Sequence, residues 1–262
     1  MKRIKMFQVD AFTSELFKGN PAAVCLLDQW LDENLMQSIA AENNLAETAF
    51  IIRSGEHFAI RWFTPTVEVD LCGHATLASA YVIFNHTDFA AEEILFHSVR
   101  SGELRVTRDG KKLYLNFPVD EISRCENIPE ITKGIGMKPI EVYKGKTDYM
   151  AIVGSEAEVQ NINPDFAAIA EIAARGLIVT APGNCVDFVS RFFGPQSGVN
   201  EDPVTGSAHT TLIPYWSGRL GKDSLSAKQI SKRGGELQCQ HAPPRVIVGG
   251  EAQLYLIGEI IV

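Results

Sequence analysis

Two segments of the chain carry residues that could bind and transform a small anion. Each has an aromatic-rich stretch, a Pro-marked bend, an Asp and then a residue triplet centred on Gly. They are Arg61-Trp62-Phe63-Thr64-Pro65 with Asp70 and Cys72-Gly73-His74-Ala75-Thr76, and Arg191-Phe192-Phe193-Gly194-Pro195 with Asp202 and Thr205-Gly206-Ser207-Ala208-His209. A Gly at a helix start lets a ligand approach the backbone, and the first N–H groups of a helix favour an anion. The pattern predicts a site that holds a carboxylate between two helix N-termini.

Glu47 is the best candidate for a general acid/base. It lies between Ala46 and Thr48 at the start of an otherwise apolar strand pattern. A carboxyl group in such surroundings can take a proton and return it. The alternative is an ordinary surface Glu at the end of a strand.

His74 and Cys72 flank the first Gly of these triplets. His74 could donate to a substrate oxygen or hold Asp202 or Glu47 in place, and it could also be a packing or capping residue. A thiolate at Cys72 would be favoured by the helix N-terminus, but a small buried side chain is an equally good interpretation, so Cys72 is left out of the catalytic set.

Asp202 and Ser207 belong to the second triplet and are candidates for substrate contact. Asp202 precedes Pro203 and could be only a turn residue, and Ser207 could be only a cap. The remaining histidines are expected to be structural or at the surface: His57, His86, His97, His209 and His241. No metal site is expected.

Several regular elements must position these residues. Alternating or apolar stretches predict strands at residues 2–11, 22–27, 45–52 and 58–62. Asp32 is expected to cap a helix whose apolar face ends near Asn43, and residues 73–84, apolar nearly all round, predict a buried helix. Asp109-Gly110 indicates a hairpin between residues 104–108 and 112–117.

These elements recur in the second half of the chain. Arg191 follows Arg61 by 130 residues, Gly206 follows Gly73 by 133, and Asn163-Pro164 marks a helix start. Residues 245–250 and 254–256 resemble the first hairpin. The class expected is α+β, with two pseudo-symmetric domains, each a curled, mostly antiparallel sheet around a central helix, and an active site in the cleft between them.

The expected domains are residues 1–118, to which a strand at about 255–262 could return, and residues 119–254. Two departures from the repeat stand out. Glu47 has no acidic counterpart around residues 177–180, and Pro214 predicts that the helix after Gly206 is short or kinked.

Composition excludes several functional classes. The net charge of −8 argues against nucleic-acid binding, which needs clustered Lys and Arg. No apolar run is long enough to span a bilayer, and residues 1–10 contain no signal-type apolar segment, so a cytoplasmic location without membrane contact is expected. The five cysteines lack a C-x-x-C pair, which favours neither disulfides nor zinc.

Spaced motifs across the whole chain resemble the phenazine-biosynthesis PhzF-like family, which shares its fold with diaminopimelate epimerase. They are Val9-Asp10-Ala11-Phe12-Thr13, Gly19-Asn20-Pro21, Glu47-Thr48-Ala49-Phe50, Arg61-Trp62-Phe63-Thr64-Pro65, Asp70-Leu71-Cys72-Gly73-His74-Ala75-Thr76 and Glu201-Asp202-Pro203-Val204-Thr205-Gly206-Ser207-Ala208. The resemblance implies an enzyme without metal or organic cofactor, usually a homodimer. In the member that names the family, a dihydro-3-hydroxyanthranilate is isomerised.

The resemblance also implies roles for individual residues. Glu47 would be the proton-shuttling acid/base, with His74, Asp202 and Ser207 around the substrate as the other catalytic residues. The expected substrate-binding residues are Asn20, Gly73, His74, Ala75, Gly206 and Ser207. The backbone amides of Gly73, His74, Gly206 and Ser207 would hold the substrate carboxylate.

The epimerase relatives carry Cys immediately before each of the two glycines, and the two thiols act as opposing bases. Here these positions are Cys72 and Thr205. The leading hypothesis is therefore a cofactor-independent isomerase that moves a proton on a small carboxylated, possibly cyclic and amino-bearing metabolite. The alternatives are an amino-acid racemase or epimerase that uses Glu47 and Cys72, and a non-catalytic protein that binds a small carboxylate.

Overall fold

The chain folds into two compact units. A computed structural model describes all residues, 1–262. The N-terminal unit contains residues 1–116 together with 249–262, and the C-terminal unit contains residues 117–248.

The N-terminal unit is one sheet with two helices. Its helices are α1 (Glu33–Asn43) and α2 (Gly73–His86). Its strands are β1 (Arg3–Ala11), β2 (Asn20–Leu27), β3 (Glu47–Ser54), β4 (His57–Phe63), β5 (Glu68–Val69), β6 (Glu93–Ser98), β7 (Gly102–Asp109), β8 (Lys112–Pro118) and the C-terminal strand β18 (Ala252–Ile261).

Strand pairing in this unit follows the order β18-β1-β2-β3-β4-β6-β7-β8, and β5 pairs with the end of β4. Only the β2–β3 and β4–β6 pairs are parallel. Helix α2 packs against β1, β2, β3 and β18, and 11 of its residues are buried. A helix that is apolar all round has no face to offer to water, so the predicted burial of α2 is confirmed.

The C-terminal unit contains the remaining elements. Its helices are α3 (Pro129–Ile135), α4 (Glu156–Asn161), α5 (Phe166–Ala170) and α6 (His209–Leu220). Its strands are β9 (Ser123–Cys125), β10 (Glu141–Lys144), β11 (Asp148–Ile152), β12 (Gly176–Pro182), β13 (Phe188–Gly194), β14 (Val199–Asp202), β15 (Ser224–Gln229), β16 (Gly235–Ala242) and β17 (Arg245–Gly250).

The pairings of the second unit repeat those of the first. The order is β9-β10-β11-β12-β13-β15-β16, and β14 pairs with the end of β13. Only the third and fifth of these steps, β11–β12 and β13–β15, join parallel strands, as in the first unit. The repeat extends to side chains: Arg61 on β4 pairs with Glu68, and Arg191 on β13 pairs with Glu201, each at 2.7 Å. The predicted α+β fold of two pseudo-symmetric domains is confirmed.

Local signals placed several element ends well. The Asp32 side chain accepts a hydrogen bond from the Asn34 amide and starts α1, and Asn44 ends the helix in the left-handed conformation. Gly110, with φ of 60°, makes the tight turn from β7 to β8. These predictions are confirmed because each depends on residues close together in the chain.

Other predictions need correction. Helix α6 begins at His209 rather than at Gly206, because residues 205–211 form three-residue turns in which the Ala208 amide donates to the Thr205 carbonyl. The helix predicted to start at Asn163-Pro164 is the short α5, but Asp165 caps it, it begins at Phe166 and it ends at Ala170. Residues 254–256 do not form a second hairpin with 245–250, since they belong to β18, which pairs with β1.

Helix α6 also continues past Pro214, so it is not cut short there. A proline cannot donate to the carbonyl four residues earlier, which here is that of Thr210. The Asp120 amide donates to this carbonyl instead, at 3.2 Å. A residue far away in the chain thus satisfies the acceptor that the proline leaves open. None of the helices has the length and apolarity needed to cross a membrane.

Candidate active site

Glu47 is the first residue of β3 and lies opposite Ala22 of the parallel strand β2. Its side chain is 16% exposed, and its Oε2 atom is buried without a hydrogen-bond partner. A buried carboxylate oxygen normally has a donor, so an unsatisfied one is typical of a functional position. The Glu47 side chain is thus largely withdrawn from solvent.

His74 lies at the centre of a cluster of side chains in the N-terminal unit. Its ring is 4% exposed, and its Nε2 lies 3.1 Å from Glu47 Oε2, at ion-pair distance but without the angles of a hydrogen bond. Its Nδ1 lies 3.1 Å from Asn20 Nδ2 and 3.5 Å from Cys72 Sγ. The Asn20 amide can donate to a neutral Nδ1 or, turned over, accept from a protonated one.

The electrostatics of this cluster favour a charged imidazole. Burial alone would lower the pKa of His74, but the negative charge that Cys72 and Glu47 can carry, with the Cys72 Sγ contact, outweighs it and raises the pKa well above 6.5. Burial, and then the Glu47 charge, raise the pKa of the Cys72 thiol to about 11. Near neutral pH we therefore expect an imidazolium between a carboxylate and a neutral thiol.

Helix α2 offers amides to an anion beside this cluster. The first intrahelical bond is from the Thr76 amide to the Cys72 carbonyl, at 3.1 Å. The amides of Gly73, His74 and Ala75 therefore have no acceptor within the helix. They form an N-terminal group of donors next to the Glu47 and His74 side chains.

Asp202 belongs to a hydrogen-bonded network in the C-terminal unit. Its carboxylate accepts from the Thr205 hydroxyl, while Gln229 accepts from the Thr205 amide at 2.9 Å and donates to the Asp202 carbonyl at 2.7 Å. The Gln229 side chain thus fixes the bend between Asp202 and Gly206. Gln229 was not found from sequence because it lies on β15, beyond the motif.

Ser207 contacts a charged pair that sequence reasoning missed. Arg175 Nη1 donates to Ser207 Oγ at 2.9 Å, and the same guanidinium pairs with the buried Asp148. The amides of Gly206 and Ser207 donate to no acceptor in the structure. Arg175 directly precedes β12 and Asp148 starts β11, and charges at the starts of two apolar strands were the signal available.

His209 proves to be a core residue. It is completely buried, and its Nδ1 lies 2.9 Å from the Thr205 carbonyl. Burial lowers its pKa to about 4, while the bond to Thr205 opposes this. A neutral ring whose Nδ1–H donates to the carbonyl supports the turn ahead of α6, which agrees with a structural role.

The predicted site residues thus form two groups, each within its own unit. Asn20, Glu47, Gly73, His74 and Ala75 lie together in the N-terminal unit. Asp202, Gly206 and Ser207 lie together on the segment before α6 of the C-terminal unit.

Glu47, Cys72 and His74 are also the residues that could hold a metal ion, with ligand atoms within 4.8 Å of one another. The imidazole stands between the other two groups, Nε2 towards the carboxylate and Nδ1 towards the thiol. A metal ion bound to Nε2 would be close to the Glu47 carboxylate, and one bound to Nδ1 would be close to the Cys72 thiol.

The fold, two similar units each built from a mostly antiparallel sheet and helices, is of the diaminopimelate epimerase-like class. A solved structure described as that of a predicted epimerase from Pseudomonas aeruginosa, 17% identical, superposes with a TM-score of 0.73 over 99% of both chains, a likeness of fold alone.

The chain belongs to the PhzC-PhzF family, described as phenazine biosynthesis-like protein, whose sequence model matches residues 9–258. An uncharacterized isomerase of Pseudomonas aeruginosa is 51% identical over 258 residues, 98% of each chain. The crystal structure of a PhzF-family phenazine biosynthesis protein from Enterococcus faecalis is 49% identical, covers 100% of both chains and has a TM-score of 0.96. These matches support an isomerase.

Proposed function

We propose that the protein is a cofactor-independent isomerase that moves a proton on a small carboxylated substrate, with Glu47 as the general acid/base. The observation that carries the proposal is the unpartnered, buried Oε2 of Glu47, 3.1 Å from Nε2 of a buried His74. Because an imidazolium stabilises the carboxylate without a hydrogen bond to satisfy it, one oxygen remains available to a C–H proton.

In the proposed reaction Glu47 removes a proton from an activated carbon of the substrate. The C–H electron pair moves into the adjacent π system as an enolate or dienolate, and Glu47 then returns its proton to another carbon on the same face. No net oxidation occurs. The amides of Gly73 and His74 at the start of α2 stabilise the developing negative charge, and the amides of Gly206 and Ser207 are further candidates for binding the substrate carboxylate.

The racemase alternative has less support. Two-base inversion needs bases on opposite faces of one carbon, whereas Glu47 and Cys72 lie on the two nitrogens of a single His74 ring. The Cys72 thiol, with a pKa of about 11, is a poor base near neutral pH. Thr205, at the second position where the epimerases carry Cys, donates its hydroxyl hydrogen to Asp202.

The test is solvent deuterium incorporation, followed by mass spectrometry, with a panel of small carboxylates that includes dihydro-3-hydroxyanthranilate. Wild type should incorporate deuterium or isomerise a panel member, and Glu47→Gln should reduce the rate by roughly 10² to 10⁴, the usual contribution of general acid/base catalysis. Cys72→Ala is the matched variant in the same cluster, and it should retain isomerisation.

Three results would contradict the proposal. Equal rates for wild type and Glu47→Gln would remove Glu47 as the base. If wild type inverts a stereocentre and Cys72→Ala loses that activity, the racemase would be favoured. A wild type that binds a panel carboxylate but never exchanges its hydrogens would favour a binding protein.

A further inference from the structure

The two units place opposite charges at nearly equivalent positions, one residue apart in the repeat. In the N-terminal unit Glu47 opens β3 and faces His74, the residue after Gly73. In the C-terminal unit Arg175 directly precedes β12 and contacts Ser207, the residue after Gly206. A carboxylate thus lies beside the start of α2, and a guanidinium lies beside the turn that precedes α6.

Strand register shows why the carboxylate is not repeated. Arg61 lies opposite Phe50, and its counterpart Arg191 lies opposite Val179, so the position equivalent to Glu47 is Gly176. A Cβ atom on Gly176 would lie 2.3 Å from the Phe192 ring. The Phe192 ring thus occupies the space of a side chain at position 176. The guanidinium of the neighbouring Arg175 lies 5.2 Å from the same ring and contacts Ser207.

The guanidinium of Arg175 is held in one orientation. Its Nε and Nη2 donate to the two carboxylate oxygens of Asp148, which is 2% exposed, while the Arg175 side chain itself is 35% exposed. Burial would lower the pKa of Arg175, but the bonds and charge of Asp148, with the charges of Asp202 and Asp120, raise it. A bidentate pair of this kind fixes the third nitrogen, Nη1, in space.

Nη1 sets the role of the Ser207 hydroxyl. A guanidinium can only donate, so Ser207 Oγ accepts from Arg175 and keeps its own hydrogen for a further acceptor. The Gly206 and Ser207 amides point to no acceptor either, which makes three donors on one short segment. Without Arg175, the carboxylates of Asp148, Asp202 and Asp120 would lose the cation they share.

We propose that Arg175 is a positioning and specificity-determining residue, which directs the Ser207 hydroxyl and selects a substrate with a carboxylate over a neutral analogue. This inference rests on the proposed function, because that function requires a substrate that carries a carboxylate.

The test is equilibrium binding by calorimetry of 3-hydroxyanthranilate and of its neutral carboxamide, neither of which needs to react. Arg175→Met should weaken binding of the acid by roughly tenfold to a hundredfold, as expected for a lost charge-assisted hydrogen bond, and should leave the amide within about threefold. Arg175→Lys should restore part of the discrimination. In a Ser207→Ala background the further effect of Arg175→Met should shrink, because Arg175 acts through that hydroxyl.

Arg191→Met is the matched control for structural damage. It removes an ion pair of the same chemistry in the same unit, that of Arg191 with Glu201, without touching Ser207. It should lower stability and preserve the preference for the acid. If Arg175→Met fails to fold, the preference in Arg175→Lys and Ser207→Ala decides.

The outcomes separate the two proposals. If wild type, Arg175→Met and Arg175→Lys bind the acid with the same affinity, the role of Arg175 is overturned and the isomerase proposal is unaffected. Full additivity of the Arg175→Met and Ser207→Ala effects overturns action through the hydroxyl. Wild type with no preference for the acid overturns carboxylate binding by this segment, whereas failure of the isomerase itself would appear in deuterium exchange.

Discussion

Replacing Glu47 with Gln should change the titration of His74 as well as slow proton transfer. The substitution keeps the shape of the side chain and removes the negative charge 3.1 Å from Nε2. At an effective dielectric constant of about 20, that separation corresponds to about 5 kcal/mol of attraction between a carboxylate and an imidazolium. The other group that can raise the pKa of His74 is the Cys72 thiol, which is neutral near pH 7.

The sign of the pH effect follows from the direction of the shift. In wild type the raised pKa of His74 adds stability that is fully present below about pH 6.5 and is lost as the pH rises through the folded-state pKa. In Glu47→Gln burial remains and the charge of Glu47 is gone, so the pKa of His74 should fall from its wild-type value. The variant should therefore be destabilised most near pH 6, by roughly 2 to 4 kcal/mol, and progressively less at alkaline pH.

The assay is urea unfolding of wild type and Glu47→Gln between pH 6 and pH 10, with NMR titration of His74 in both. Glu68→Gln is the matched control, because Glu68 pairs with Arg61, and a guanidinium does not titrate in this range. Its destabilisation should be independent of pH. A His74 that titrates at the same pH in wild type and Glu47→Gln, or a stability difference that does not narrow with pH, would refute the proposed ion pair.

Three further predictions test the site and its supports. Iodoacetamide at pH 7.5 should alkylate the exposed Cys185 of the native protein well before the buried Cys72, and peptide mapping that finds them equally reactive would contradict a raised thiol pKa. Because the pKa of His209 is lowered to about 4, its contribution to stability should be lost as the pH falls from about 6.5 to 4, by roughly 3 kcal/mol; urea unfolding of His209→Asn, which cannot titrate, should lack this loss. Asp32→Ala should cost about 1 kcal/mol in the same assay and Asp32→Ser much less, and equal losses would mean that the cap of α1 contributes little.

The repeat was readable from sequence because strand and helix patterns recur with the same spacing in both halves. The Asp32 cap and the Gly110 turn depend on residues within a few positions of one another, so they could also be predicted. The start of α6 could not, since the Gln229 side chain draws the Thr205 segment into turns from a strand beyond the helix. Nor could the tolerance of Pro214, which depends on the Asp120 amide.

The sequence by itself determined the family, the two-fold repeat and the motifs that contain Glu47, His74 and Ser207, because each is written in residue types and spacing along the chain. Only the tertiary structure decided which of these side chains meet. Glu47 reaches His74, and Arg175 reaches Ser207, through the register of parallel strands against a buried helix. That register is set by long-range pairing and by the packing of a ring such as Phe192, which no local pattern encodes.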